Sequence, residues 1–180
     1  MEGDKYIFLD VDGVLNDEAD LYRLSQHEEE APTGGLSHLR ELRRIVDATD
    51  AKVVLSSSWR ISVRGTDDVM ASLAMVGLHL DGLTPEGAPV EFIRRKYPDV
   101  VLRDTRKSPW DNFEERTDDR GAEIASWLHA RGGCSNYVVL DDDVHDILPY
   151  HKGHVVQTSY ANGLDATKAD EAIRILNGNE

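Results

Sequence analysis

The sequence predicts a three-layer α/β fold around a parallel sheet, one domain over 1–180 with a small insert or cap at 85–119. Three observations carry this reading. Short apolar runs alternate with segments of helical periodicity, the pattern of strands joined by crossover helices. The runs are apolar throughout, as strands covered on both faces are. Two of them end abruptly in carboxylates, and the C-terminal rim of a parallel sheet is where ligands bind.

The first strand is Tyr6-Ile7-Phe8-Leu9, followed by Asp10-Val11-Asp12-Gly13-Val14-Leu15-Asn16. A period of two sends both carboxylates to the same side, and Gly13 permits a sharp exit. Two anions that close together call for a cation. A calcium loop of the EF-hand kind is excluded, since Gly13 comes too early and a strand, not a helix, precedes it. Residues 17–35 are polar, with Glu28-Glu29-Glu30 and a Pro-Thr-Gly-Gly break, and read as a loop or short helical flap whose glutamates form a solvated face. Leu36, Leu39, Leu42, Ile45 and Val46 recur at helical spacing. Lys52-Val53-Val54-Leu55 is a second buried strand, ending in Ser56-Ser57-Ser58-Trp59-Arg60. Thr66 is expected to cap a third helix with Val69, Leu73 and Val76 on one face and Gly77 at its end. Leu78-His79-Leu80 reads as a short strand before an Asp81-Gly82 turn.

The stretch 85–119 breaks this rhythm. It holds a short helix (Val90, Ile93, Tyr97) stopped by Pro98, an apolar Val100-Val101-Leu102, and a polar segment with Trp110. After it, Ile124, Trp127 and Leu128 mark a helix ending at Gly132-Gly133. Tyr137-Val138-Val139-Leu140 is another buried strand, followed by Asp141-Asp142-Asp143-Val144-His145-Asp146. Consecutive aspartates there repel one another unless a cation sits among them. Val155 and Val156 lie in a last strand; Ala169, Ile173 and Leu176 lie in a helix stopped by Gly178.

Composition narrows the possibilities. With 180 residues, 40% of them hydrophobic, three Trp and six Tyr, the chain can build a proper core. No apolar run approaches the roughly 20 residues of a membrane span. The first strand begins at Tyr6, which leaves no room for a signal peptide, so a cytoplasmic location is expected. The lone Cys134 cannot form an internal disulfide and lacks zinc-site spacing. The formal charge of −14 repels polyanions on average, so an anionic substrate must be drawn in locally. One stretch could do so: residues 92–110 carry Arg94, Arg95, Lys96, Arg103, Arg106 and Lys107 against Asp99 and Asp104, net +4, leaving −18 for the rest.

The string Asp10-Val11-Asp12-Gly13-Val14-Leu15 after an apolar strand resembles the first motif of the haloacid dehalogenase-like (HAD) phosphohydrolases. Asp141, Asp142 and Asp146 resemble that superfamily's closing motif. The resemblance implies a Rossmann-like HAD core and a Mg²⁺-dependent phosphatase. In it Asp10 is the nucleophile and Asp12 the acid and base. Asp10, the backbone carbonyl of Asp12 and Asp142 hold the metal, with Asp141 beside them and Asp146 orienting Asp142. A Ser or Thr ending the second strand then donates to the phosphate; the alignment favours Ser57, with Ser56 its neighbour, while one of the serines is expected to cap the next helix. Gly13 and Arg60 are further phosphate or leaving-group contacts. The phosphate-neutralising cation falls at Arg120, with Arg116 and Lys107 as alternatives; an Arg at a helix N-terminus opposes the helix dipole, which favours a functional role. A receiver domain is excluded because its phosphorylated Asp sits at the third strand, whereas Asp10 and Asp12 open this chain.

Ser-Ser-Ser-Trp-Arg, Arg120 with Glu123-Ile124 and Trp127-Leu128, Asp141-Asp142 and Gly163-Leu164 further resemble HAD domains of nucleic-acid end repair, related to the 3′-phosphatase part of polynucleotide kinase-phosphatases. That implies RNA or DNA 3′-phosphate ends as substrate. The charge contrast of residues 92–110 suggests that Arg103, Arg106 and Lys107 meet the strand backbone and Trp110 stacks a base; the alternative is that these cations pair with Asp99, Asp104, Asp111, Glu114 and Glu115. The other readings are a phosphatase of a small metabolite, such as a nucleotide or sugar phosphate, and an idle phosphate-binding regulatory module. Intact Asp10 and Asp12 speak against the last.

Overall fold

The computed structural model describes residues 3–26, 33–102, 105–107 and 114–178. Its centre is a parallel sheet of five strands: β1 (Tyr6–Leu9), β2 (Lys52–Leu55), β3 (Gly82–Leu83), β7 (Tyr137–Asp141) and β8 (Val155–Gln157), in the order β3-β2-β1-β7-β8. Register pairs Phe8 with Val54 on one side and with Val139 on the other. The order reverses at β1, so connections leave the β1/β7 crevice in opposite directions and open a cleft at its C-terminal end.

Strand alternation divides the core into two layers. Ile7, Leu9, Val53, Leu55, Val138 and Leu140 face α2 (Leu36–Thr49), α3 (Val63–Met75) and α7 (Ala166–Leu176), whose Leu39, Leu42, Val69, Leu73 and Ala172 complete one buried cluster. Phe8, Val54, Tyr137 and Val139 face the other way, onto Ile124, Trp127 and Leu128 of α5 (Arg120–Ala130). Helices therefore cover both faces of the sheet, the three-layer α/β arrangement expected of a Rossmann-like core.

A second, antiparallel sheet is built from β4 (Ala88–Pro89), β5 (Thr105–Lys107) and β6 (Glu115–Thr117), in the order β4-β6-β5. The intervening α4 (Val90–Lys96) packs Ile93 against Ala122 of α5 and Tyr150 of α6 (Leu148–His151), and Phe92 stacks on His129 with centroids 4.7 Å apart. The α1 helix (Glu18–Gln26) lies in the stretch read as a flap; Glu28, Glu29 and Glu30 fall outside the described residues.

Two local expectations are corrected, and one element is new. Ser62, not Thr66, caps α3: its extended backbone lets the hydroxyl accept from the Gly65 N–H at 3.0 Å, which leaves Thr66 inside the first turn. The short strand is Gly82–Leu83, not Leu78-His79-Leu80, because Asp81 takes the preceding ladder positions itself. Its N–H donates to the Val53 carbonyl and its carboxylate accepts from the Val53 N–H, both at 2.8 Å, so Gly82 enters the strand instead of a turn. The single-turn helix α6 was not expected at all; Pro149 in its first turn suits a helix start but gives no periodicity to read. Among the described residues no helix is long and apolar enough to cross a membrane.

Candidate active site

The sheet brings the two acidic strand ends together by register alone. Phe8 and Val139 face α5, and two residues further on the same rows continue as Asp10 and Asp141. The Asp10 N–H extends the ladder to the Leu140 carbonyl at 3.0 Å. Arg120, at the start of α5, meets both rows: its guanidinium lies 3.2 Å from Asp10 Oδ1 and 3.5 Å from Asp141 Oδ2, and donates to the Ser56 carbonyl. The Ser57 hydroxyl also hydrogen-bonds Asp10. Oxygen atoms of Asp10, Asp141 and Asp142 lie within 4.8 Å of one another.

This is an unstable arrangement of charge. Burial pushes the Asp10 carboxyl up, against the opposing pull of Arg120 and Ser57. Burial, then the neighbouring Asp10 charge, drives Asp141 up to about 8. Asp142 is raised by burial and by the charges of Asp143 and Asp12. Burial tends to lower the Arg120 value, but Asp10, Asp141 and Glu123 outweigh it and hold the guanidinium above its usual range. Three crowded carboxylates, two of them beside Arg120, offer hard oxygen ligands that fit Mg²⁺.

Gly13 is dictated by geometry twice over. Its φ of +75° is one that side-chain-bearing residues avoid, and a Cβ there would collide with the Asp142 carboxyl. The turn it makes is fixed by the Thr158 hydroxyl, which donates to the Gly13 carbonyl at 2.7 Å. Asp12 is held at both oxygens: Asn16 Nδ2 donates to Oδ1 and Trp59 Nε1 donates to Oδ2, each at 2.9 Å.

Several expected site residues lie elsewhere. The Asp146 carboxylate accepts from the Arg120 N–H at 2.9 Å and so caps the helix that carries the cation. The Ser56 hydroxyl turns to Thr84 Oγ1 at 3.4 Å, so of the two serines only Ser57 is at Asp10. Ser57 also caps the short 3-10 turn Ser58–Ile61, accepting from the Trp59 N–H. Arg60 is a strut instead of a phosphate contact: its side chain, 5% exposed, donates to the Ser57, Thr84 and Pro85 carbonyls and to Glu123 Oε2 at 2.6 Å. Arg116 donates to the Gly87 carbonyl and Glu114, away from the acids, and Lys107 is exposed on β5, so Arg120 is the cation that Asp10 meets. Arg106 is exposed and pairs with Asp118 at 3.0 Å. Arg103 and Trp110 lie outside the described residues.

Four contributors carried no role in the sequence reading. Asn16 and Thr158 offer no pattern that singles them out, and Trp59 stood in a noted motif without an assigned partner. Glu123 could have been found from its i, i+3 spacing to Arg120. Its carboxylate sits between Arg60 and Arg120, 3.8 Å from the latter, and accepts from the Gly87 N–H at 2.7 Å, which ties the small sheet to the cation. A cleft of about 440 Å³ between Tyr6, Trp127, Arg131 and Asn136 lies at the opposite, N-terminal end of β1 and β7, away from the acid cluster.

A five-stranded sheet of this order, with an acid pair ending the central strand and a second acid cluster ending its neighbour, defines a HAD domain of the phosphatase-type hydrolases. The model of one family, described as the HAD domain in Swiss Army Knife RNA repair proteins, matches residues 6–169, and the chain belongs to that family. No curated protein and no solved structure matches the chain.

Proposed function

We propose that the protein is a Mg²⁺-dependent phosphomonoesterase that removes phosphate from nucleic-acid ends, 3′-phosphates foremost. The observation that carries the hydrolytic part is the partly buried Asp10, held between Arg120 and Ser57 beside Asp141 and Asp142. The nucleic-acid part is supported by the family's description as a domain of RNA repair proteins.

Asp10, Asp142 and the backbone carbonyl of Asp12 would hold Mg²⁺, with Asp141 beside them; the bound ion offsets the repulsion between Asp10 and an anionic phosphate. Asp10 then attacks phosphorus while the bond to the leaving oxygen breaks, forming an aspartyl-phosphate. Asp12 gives a proton to the departing oxygen and afterwards takes one from the water that releases phosphate and regenerates Asp10. Arg120 and Ser57 bind the equatorial oxygens as charge develops on them.

A second reading, a phosphatase of small metabolites, is favoured by the pairing of Arg106 with Asp118 and of Arg94 with Glu115, which leaves these cations less available to a polyanion. A panel of oligonucleotides with 3′- or 5′-phosphate, free nucleotides and sugar phosphates, assayed with Mg²⁺ and with chelator, separates the two. Turnover confined to the small esters overturns the end-repair reading, and undiminished turnover in chelator overturns the metal dependence.

A further inference from the structure

We propose that Trp59 is the positioning residue for Asp12, aligning its carboxyl with the leaving group. This inference rests on the phosphatase reading above and assigns a task to a side chain outside the acid cluster. Trp59 Nε1 lies 2.9 Å from Asp12 Oδ2, and Asn16 Nδ2 lies 2.9 Å from Oδ1, so the carboxyl plane is fixed from both sides. Both holders are themselves fixed. Asn16 is fully buried, its Oδ1 accepting from the Gly34 N–H at 2.6 Å and its carbonyl from the Gly13 N–H at 2.7 Å. Trp59 packs against the larger core cluster, and its backbone N–H donates to Ser57 Oγ, the hydroxyl that also bonds Asp10.

The chemistry of the donor matters as much as its place. An indole N–H can only donate, so Trp59 cannot exchange roles with Asp12 as a hydroxyl could. A carboxylate offers about four lone-pair positions; two donors leave one on each oxygen free to share a proton with the leaving group or with water. Loss of one donor lets the carboxyl rotate about its terminal torsion, which is broad and roughly two-fold. The loss is felt most where departure needs a proton. A sugar or other alkyl oxygen leaves poorly as an alkoxide, whereas p-nitrophenolate leaves with little help.

The test is leaving-group dependence. Trp59→Phe keeps a ring but removes the donor; replacing Trp59 by benzothienylalanine, with sulfur in place of N–H, removes the donor with the indole shape intact and serves where the phenylalanine variant folds poorly. kcat/KM is measured on p-nitrophenyl phosphate and on an alkyl phosphate from the panel above. The aryl-to-alkyl ratio is expected to rise at least about tenfold over the parent, a part of the 10²–10⁴ that general acid–base catalysis contributes. In an Asp12→Asn background the same change should leave the ratio where it stands, since the group being positioned is gone. A readout independent of turnover is the Trp59 indole N–H resonance, which Asp12→Asn should move. Equal slowing of both substrates, or an undiminished effect in the Asp12→Asn background, overturns the inference. A parent inactive on both phosphates overturns the phosphatase reading and this inference with it; an active parent whose ratio ignores Trp59 overturns this inference alone.

Discussion

The rim of the large sheet and the small antiparallel sheet both concentrate charge, and they treat it in opposite ways. At the rim, Asp10, Asp141 and Asp142 crowd together with only Asp10 and Asp141 meeting Arg120 among the described residues, and burial raises the proton affinity of all three. On the small sheet, Arg106 with Asp118 and Arg94 with Glu115 stay in solvent, each cation beside an acid. Charge in sequence marks both regions equally; burial without compensation marks only one. Crowded carboxylates in a cleft lower stability unless something else binds there, which is the mark of a working site.

The sharpest way to break this contrast is to neutralise the two acids of the first turn one at a time. Asp10→Asn is expected to lower turnover at least about 10³-fold, because an amide is no nucleophile. Folding should be unharmed or improved, since one of three crowded charges disappears. Rapid quench with labelled phosphate should trap a phospho-enzyme from the parent and none from this variant. Asp12→Asn should still form the intermediate from an aryl phosphate but release it slowly. Near-native turnover in Asp10→Asn would make water, not Asp10, the nucleophile.

Next in size is the link between pH and metal. Burial and the Asp10 charge push the native Asp141 carboxyl up to about 8 from 3.8, so between these values the folded chain binds more protons than the unfolded one. Stability of the metal-free protein therefore falls as pH rises through that window. His151 acts in the opposite sense. Buried, with Nε2 donating to the Gly121 carbonyl and Nδ1 accepting from the Tyr137 hydroxyl, it is lowered to about 4, so stability falls as pH drops from 6.5 toward 4. Its contribution is the same with and without Mg²⁺ and cancels in the difference. The rise in melting temperature on adding Mg²⁺ should thus be larger at pH 8 than at pH 5; equal rises would place the ion away from these carboxylates.

Much of this architecture was legible because strands and strand ends write themselves locally. Tyr6–Leu9 and Tyr137–Asp141 are continuous apolar runs, and the acids that follow need no distant partner to be noticed. Parallel register then does the rest, since Asp10 and Asp141 continue rows already set by Phe8 and Val139. What stayed hidden depends on distant segments meeting. Trp59 reaches Asp12 across 47 positions, Arg60 reaches Glu123 across 63, and Thr158 reaches Gly13 across 145. Nothing in the residues around Arg60 announces that its guanidinium turns inward. Asp146 was recognised as an acid of the site, but its partner is a helix N–H, which residue type alone does not reveal.

The smallest expected effect concerns the small sheet. Arg106 and Asp118 are each about half exposed, at 47% and 48%, and such surface pairs contribute about 0 to 1 kcal/mol. The Arg106→Ala, Lys107→Ala double variant should therefore keep its unfolding free energy within about 1 kcal/mol of the parent, as chemical denaturation would measure. If strand phosphates do take these two cations, the log–log salt dependence of oligonucleotide affinity should become shallower by roughly 1.4, about 0.7 for each single-strand phosphate that is no longer neutralised. The Michaelis constant should rise more for a 3′-phosphorylated oligonucleotide than for a minimal aryl phosphate, which has no further phosphates to meet. An unchanged salt slope, or equal effects on both substrates, would reduce the charges of β5 to surface pairing and shift the balance toward a small-metabolite substrate.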